Sequence, residues 1–182
     1  MGACPSNSVE SYKSSELIFL QRVDRPNFGV MLDSFNFAAR VFADPSAASG
    51  RTPNGELEIQ SSCKRLAMTV DLAKIFFIQV VDGSRLDDAL VPGHEYYNEQ
   101  QPARLSWSRN CRLFYGEQDR GGYLPIRQIL QTYLDLGYRG WLSHELFSYT
   151  LSNPDSATPE AHAKRAAKAW MAMAEGMHLN DA

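Results

Sequence analysis

Cysteine is scarce: Cys4, Cys63 and Cys111 are the only three in 182 residues. They are odd in number, far apart and form no CxxC pair. That argues against a thiolate zinc site or a disulfide framework and leads us to expect a reducing, cytoplasmic setting. Long hydrophobic runs are missing too, and none approaches the roughly 18 apolar residues of a membrane span. Met1 to Glu16 contains no apolar stretch of the secretory kind, and Gly2 with Ser6 fits only the loose outline of an acylation start. Charge of one sign is nowhere concentrated. The net charge is −3, and the longest basic cluster, Lys164, Arg165 and Lys168, has the spacing of a solvated helix face. No nucleic-acid footprint is expected.

What remains is a chain with 44% hydrophobic and 11% aromatic residues, enough for a compact domain with a real core. Its length falls short of the roughly 250 residues of an eight-fold (β/α) barrel. Residues 1–14 are polar and patternless and read as a loose tail, with one domain over 15–182. Glu16 to Val23 reads as the end of an amphipathic helix, broken by Pro26. Phe28 to Leu32 and Ile75 to Ile78 are short apolar runs bounded by turn residues, as expected of strands buried on both faces. Arg112 to Tyr115 and Gly140 to His144 read as further strands. Helices are expected over Phe35 to Phe42, Glu56 to Leu72, Tyr123 to Leu136 and Pro159 to Met177, the last capped by Thr158. Residues 44–55 read as a loop, and 83–110 as a long polar connection of the kind that is usually functional. Strands alternating with helices predict a parallel α/β architecture of about four βα units.

Three of these strands end in an oxygen-bearing side chain: Asp33, Gln79 and Glu145. Each alone could equally cap the following helix. Sites in parallel α/β folds assemble at strand C-termini, and three oxygen donors there suit a hard divalent cation. Trp107 to Arg112 adds Ser108 beside arginines whose planar fork matches a carboxylate. His144, one residue from Glu145, is expected to point away from the site by strand alternation.

The runs Arg22–Pro45, Lys74–Gly83, Gln101–Phe114, Glu117–Pro125 and Gly137–Phe147, in this order, resemble fungal 3-dehydroshikimate dehydratases. These are members of the sugar-phosphate isomerase/epimerase-like, xylose isomerase-like TIM-barrel superfamily. The resemblance covers roughly residues 16–175. It is carried by the combination of Asp33-Ser34-Phe35-Asn36, Gln79-Val80-Val81-Asp82 and Trp107-Ser108-Arg109-Asn110. A Gln at position 79, where many superfamily members have His, favours the dehydratases over a generic sugar epimerase.

The resemblance implies a hydro-lyase that converts 3-dehydroshikimate to protocatechuate and water in quinate and shikimate catabolism. It implies a divalent cation (Mg²⁺, Mn²⁺ or Co²⁺) held by Asp33, Gln79 and Glu145, and a substrate contacted by Asn36, Ser108 and Arg112, with Arg112 on its carboxylate. Asn36 stands where His is common, and an amide cannot titrate. The family's first metal ligand, a Glu on an earlier strand, has no counterpart: Glu10 and Glu16 are available upstream, and neither follows an apolar run. The expected fold is therefore a partial (β/α)₈ barrel comprising the C-terminal four units. Such a half is expected to be marginal as a monomer or to pair with a copy of itself. A sugar isomerase of the same superfamily and a non-catalytic remnant are the competing readings.

Overall fold

The computed structural model of the chain describes residues 22–179. The expected tail over 1–14, the domain start at 15 and most of the helix ending at Val23 lie outside them.

Three strands form a parallel sheet. Strand β1 (Val30–Asp33) pairs with β2 (Ile75–Gln79). On its other side β2 pairs with the strand over Trp141–Ser143. The β1–β2 register shifts once, between Val30 and Met31, and so leaves Phe76 without a partner. Close approach at the start of β1 needs Gly29, where an added Cβ would stand 2.5 Å from the Lys74 carbonyl oxygen.

The strand expected near Arg112 does not join this sheet. Residues Arg112–Leu113 (β4) pair antiparallel with Asp82–Gly83 (β3), and Trp141–Ser143 (β5) takes the place beside β2. The backbone explains both the position and the shortness of β4. Its flanks are bonded to segments beyond the sheet: Arg112 N–H donates to the Phe147 carbonyl, and Cys111 bridges Ser148. Phe114 N–H is taken by the Glu117 carboxylate, so pairing stops at Leu113. The parallel sheet accordingly has three strands, not the four expected.

Among the described residues five α-helices follow β1: α1 (Ser34–Val41), α2 (Gly55–Thr69), α3 (Ala103–Asn110), α4 (Ile126–Asp135) and α5 (Thr158–Gly176). Helix α3 lies inside the stretch read as a long polar connection. Its sequence is mostly polar, and the fully buried Trp107 supplies the anchor that composition hides. Helix α5 starts at Thr158 itself, so this residue is not its cap. The Thr158 hydroxyl donates instead to the Asn153 carbonyl, and Pro159 occupies the first turn.

The helices cover one face of the sheet. Ile78 of β2 packs there with Phe35, Ala38, Ile59, Ile129, Leu130 and Met173. The other face is open, contrary to the expectation of strands buried on both sides. Met31, Phe77 and Trp141 are register partners across it, and they are 43%, 36% and 82% exposed. Among the described residues no helix is long and apolar enough to cross a membrane.

Candidate active site at the strand ends

Two residues beyond the Met31–Phe77–Trp141 row, alternation brings Asp33, Gln79 and Ser143 to the same open face as register partners. Asp33 ends β1 and caps α1. Its Oδ1 accepts from Asn36 N–H at 2.9 Å, and its Oδ2 from the Asn36 side-chain amide at 3.0 Å. A helix opening directly after a strand thus fixes both Asp33 and Asn36.

Arg112 reaches this point from β4. One terminal nitrogen, Nη1, donates to Asp33 Oδ2 at 2.8 Å and to Glu145 Oε2 at 2.9 Å. Nε and Nη2 both donate to the Ser108 hydroxyl, at 3.2 and 3.0 Å. The guanidinium lies over the rings of Phe35 and Phe147, 4.7 and 5.4 Å from their centroids. Arg112 is only 3% exposed. A buried cation with two carboxylates and four of its five donors used is well compensated.

Asp33, Asn36, Ser108, Arg112 and Glu145 therefore form one bonded cluster. Gln79 sits beside it as the register partner of Asp33. Its Oε1 is buried and has no hydrogen-bond partner among the described residues. A buried orphan acceptor is costly and calls for an explanation. His144, just past the end of β5, makes its contacts elsewhere: its Nδ1 lies 3.3 Å from the Val80 carbonyl and its ring stands edge-on to Phe114. Burial pushes the nearby Cys111 thiol up to about 12, though a Ser84 hydrogen bond opposes this. A thiol so held is neither a nucleophile nor a thiolate ligand.

Phe147 was not singled out from the sequence. It lies past the end of β5 at Ser143, where no strand alternation marks it in the sequence. Asp82 was also passed over as a separate feature. It is buried just past Gln79 and accepts three backbone N–H bonds, from Gly83, Tyr123 and Leu124.

The donor set fits a hard divalent cation. Two carboxylates already converge on one cationic nitrogen, and a buried amide oxygen beside them lacks a partner. Among the described residues no three His, Cys, Asp or Glu side chains converge as a metal group, so the set depends on the Gln79 amide.

Residues 11–173 match the model of the xylose isomerase-like TIM barrel family. The chain belongs to that family. Within it, the chain is 47% identical over 161 residues to the 3-dehydroshikimate dehydratase of Neurospora crassa. The match takes in 88% of this chain and 45% of the relative, so the chain spans less than half the length of that curated relative. Two solved structures share the fold. One is a xylose isomerase-like TIM barrel/4-hydroxyphenylpyruvate dioxygenase fusion protein, with TM-score 0.56 and 24% identity over 91% of this chain and 20% of that one. The other is the IOLI protein with a binding zinc atom, with TM-score 0.51 and 19% identity over 85% of this chain and 40% of that one. The parallel sheet with helices on one face is thus part of an α/β barrel, and its open face is the side that a closed barrel would enclose.

Proposed function

We propose that this chain carries one part of a 3-dehydroshikimate dehydratase site, a hydro-lyase that yields protocatechuate and water. The observation that carries the reading is the cluster of Asp33, Asn36, Gln79, Ser108, Arg112 and Glu145 at the strand ends. It occurs in a chain 47% identical to the Neurospora dehydratase.

The substrate is a hydroxylated ring ketone with a carboxylate. Loss of water requires removal of a proton alpha to the ketone and departure of a ring hydroxyl as water, after which the ring becomes aromatic. Arg112 and Ser108 would hold the carboxylate, a group that does not react, and so orient the ring. Asn36 would hydrogen-bond the substrate; an amide cannot exchange a proton, so the acid and base roles do not fall to it. Asp33, Gln79 and Glu145 would hold a divalent cation: Mg²⁺, Mn²⁺ or Co²⁺. Bound there, it would supply charge stabilisation at the substrate's ketone oxygen.

The exposed Met31–Phe77–Trp141 row supports a covering body. We place a second copy of this chain, or further βα units, over the Met31–Phe77–Trp141 row. We place the reaction in the cytoplasm, in keeping with the free thiols of Cys63 and Cys111. The test is incubation of the purified chain with 3-dehydroshikimate and each of the three cations. The part of the Neurospora dehydratase outside the match is added in a parallel set. New ultraviolet absorbance from the aromatic product is expected in at least one set; its absence from all of them rejects the reading.

A further inference from the structure

The position between Asp33 and Glu145 is occupied by a cation of the chain's own. Arg112 Nη1 donates to one oxygen of each carboxylate, at 2.8 and 2.9 Å. Without that charge, the buried Asp33 carboxylate and the half-buried Glu145 carboxylate would lie close together and repel. Yet the arrangement is incomplete, because Gln79 Oε1 remains unpaired beside it. The guanidinium satisfies the two acids and leaves the third oxygen donor orphaned, whereas a divalent cation has use for all three.

We propose that Arg112 and a divalent ion compete for the Asp33 and Glu145 carboxylates and exchange places there. This rests on the cation-binding reading above. A guanidinium and a divalent ion on the same carboxylate oxygens would repel strongly at such distances. The remaining contacts of the Arg112 side chain suit a pivot. They are a long Nη1 contact to the Glu145 carbonyl at 3.5 Å, a hydroxyl, Ser108, which takes both Nε and Nη2, and the rings of Phe35 and Phe147, which tolerate rotation of the plane. Once displaced, Nη1 has lost both anionic partners and needs another, and a carboxylate-bearing ligand supplies one. Cation entry and recruitment of an anionic substrate thereby become two sides of one movement. This ordering follows from Arg112 having too few anions to serve both states.

Two measurements with Mn²⁺ alone test the exchange, and neither reads turnover. In isothermal titration, Arg112→Gln should bind Mn²⁺ at least tenfold more tightly than the parent, because the competitor is gone. A scaffold that merely aligns the two acids predicts weaker binding instead. The second measurement uses the parent chain and is independent of whether the variant folds. Phenylglyoxal modification mapped by mass spectrometry should leave Arg112 protected in EDTA and at least fivefold more reactive with saturating Mn²⁺. Unchanged or weaker Mn²⁺ affinity in a folded variant, an Arg112 that stays protected, or no Mn²⁺ binding to the parent each overturns the exchange. Failure to form protocatechuate overturns the dehydratase reading and leaves these two results standing.

Discussion

Burial pushes the Asp82 carboxyl up to about 6, although hydrogen bonds from the Leu124, Gly83 and Tyr123 backbones oppose it; the Glu117 charge adds to the rise. An unfolded Asp titrates near 3.9. The folded chain therefore holds this proton more tightly. The stability so gained is complete below about pH 4 and is lost as pH rises to about 6. Asp82→Asn removes that dependence. The difference in unfolding free energy, variant minus parent, should grow by on the order of 2–3 kcal/mol between pH 4 and 6 in urea titrations. A difference that stays flat over that window contradicts the assignment. Gln79 gives a second expectation of this size. Its orphan oxygen costs stability in the metal-free chain, so Gln79→Met, with similar volume and no acceptor, should be about 1–2 kcal/mol more stable in EDTA. The same variant should bind Mn²⁺ more weakly. Gain of stability with loss of binding is the signature of a side chain kept for a ligand and not for the fold.

Helix α5 docks through Met173 in the core and through one charged contact to the segment after β4. Arg165 donates to both oxygens of Glu117, at 2.6 and 2.8 Å, and lies over the Phe114 ring. Burial alone would raise the Glu117 carboxyl. The Arg165 and Phe114 hydrogen bonds and the Arg165 and Arg120 charges outweigh it and hold the carboxyl below its ordinary value. Its contribution is thus present above about pH 4.5 and fades as pH falls, opposite in sign to that of Asp82. A double-mutant cycle with Glu117→Gln and Arg165→Met should give a coupling of about 1–3 kcal/mol at pH 7 and a smaller one at pH 4. Most elements could be read from periodicity, because β1, β2, β5, α2 and α4 carry apolar residues at the spacing their geometry requires. Helix α3 could not: six of its eight residues, Ala103–Asn110, are polar or small, and Trp107 is its one large buried side chain. The partner of β4 was equally hidden, since it is two residues long and paired through backbone alone. At the candidate site, Asp33 and Gln79 were legible because each closes an apolar run that forms a strand, whereas Glu145, expected at a strand end, lies two residues past the end of β5 at Ser143. The bridge that Arg112 makes between two of them spans 79 and 33 residues of sequence, and no local pattern encodes it.

At the scale of the whole molecule, one side of the sheet is unfinished. Met31, Phe77 and Trp141 are exposed, and among the described residues β1 and β5 each have a strand partner on one side only. Sedimentation velocity should show concentration-dependent self-association of the parent chain. A Phe77→Thr/Trp141→Thr double variant should sediment as a monomer at the same concentrations; equal behaviour of the two would place any association elsewhere. The strand repeat of two adds a consequence for how such a molecule responds to dilution. Asp33 and Gln79 share a face with Met31 and Phe77, so whatever roofs the apolar row also roofs the polar cluster. Were a second copy of the chain that roof, assembly and ligand capture would be reciprocally coupled, each tightening the other by the same factor. Binding strength would then report the chain's own abundance, falling as covering partners are diluted away.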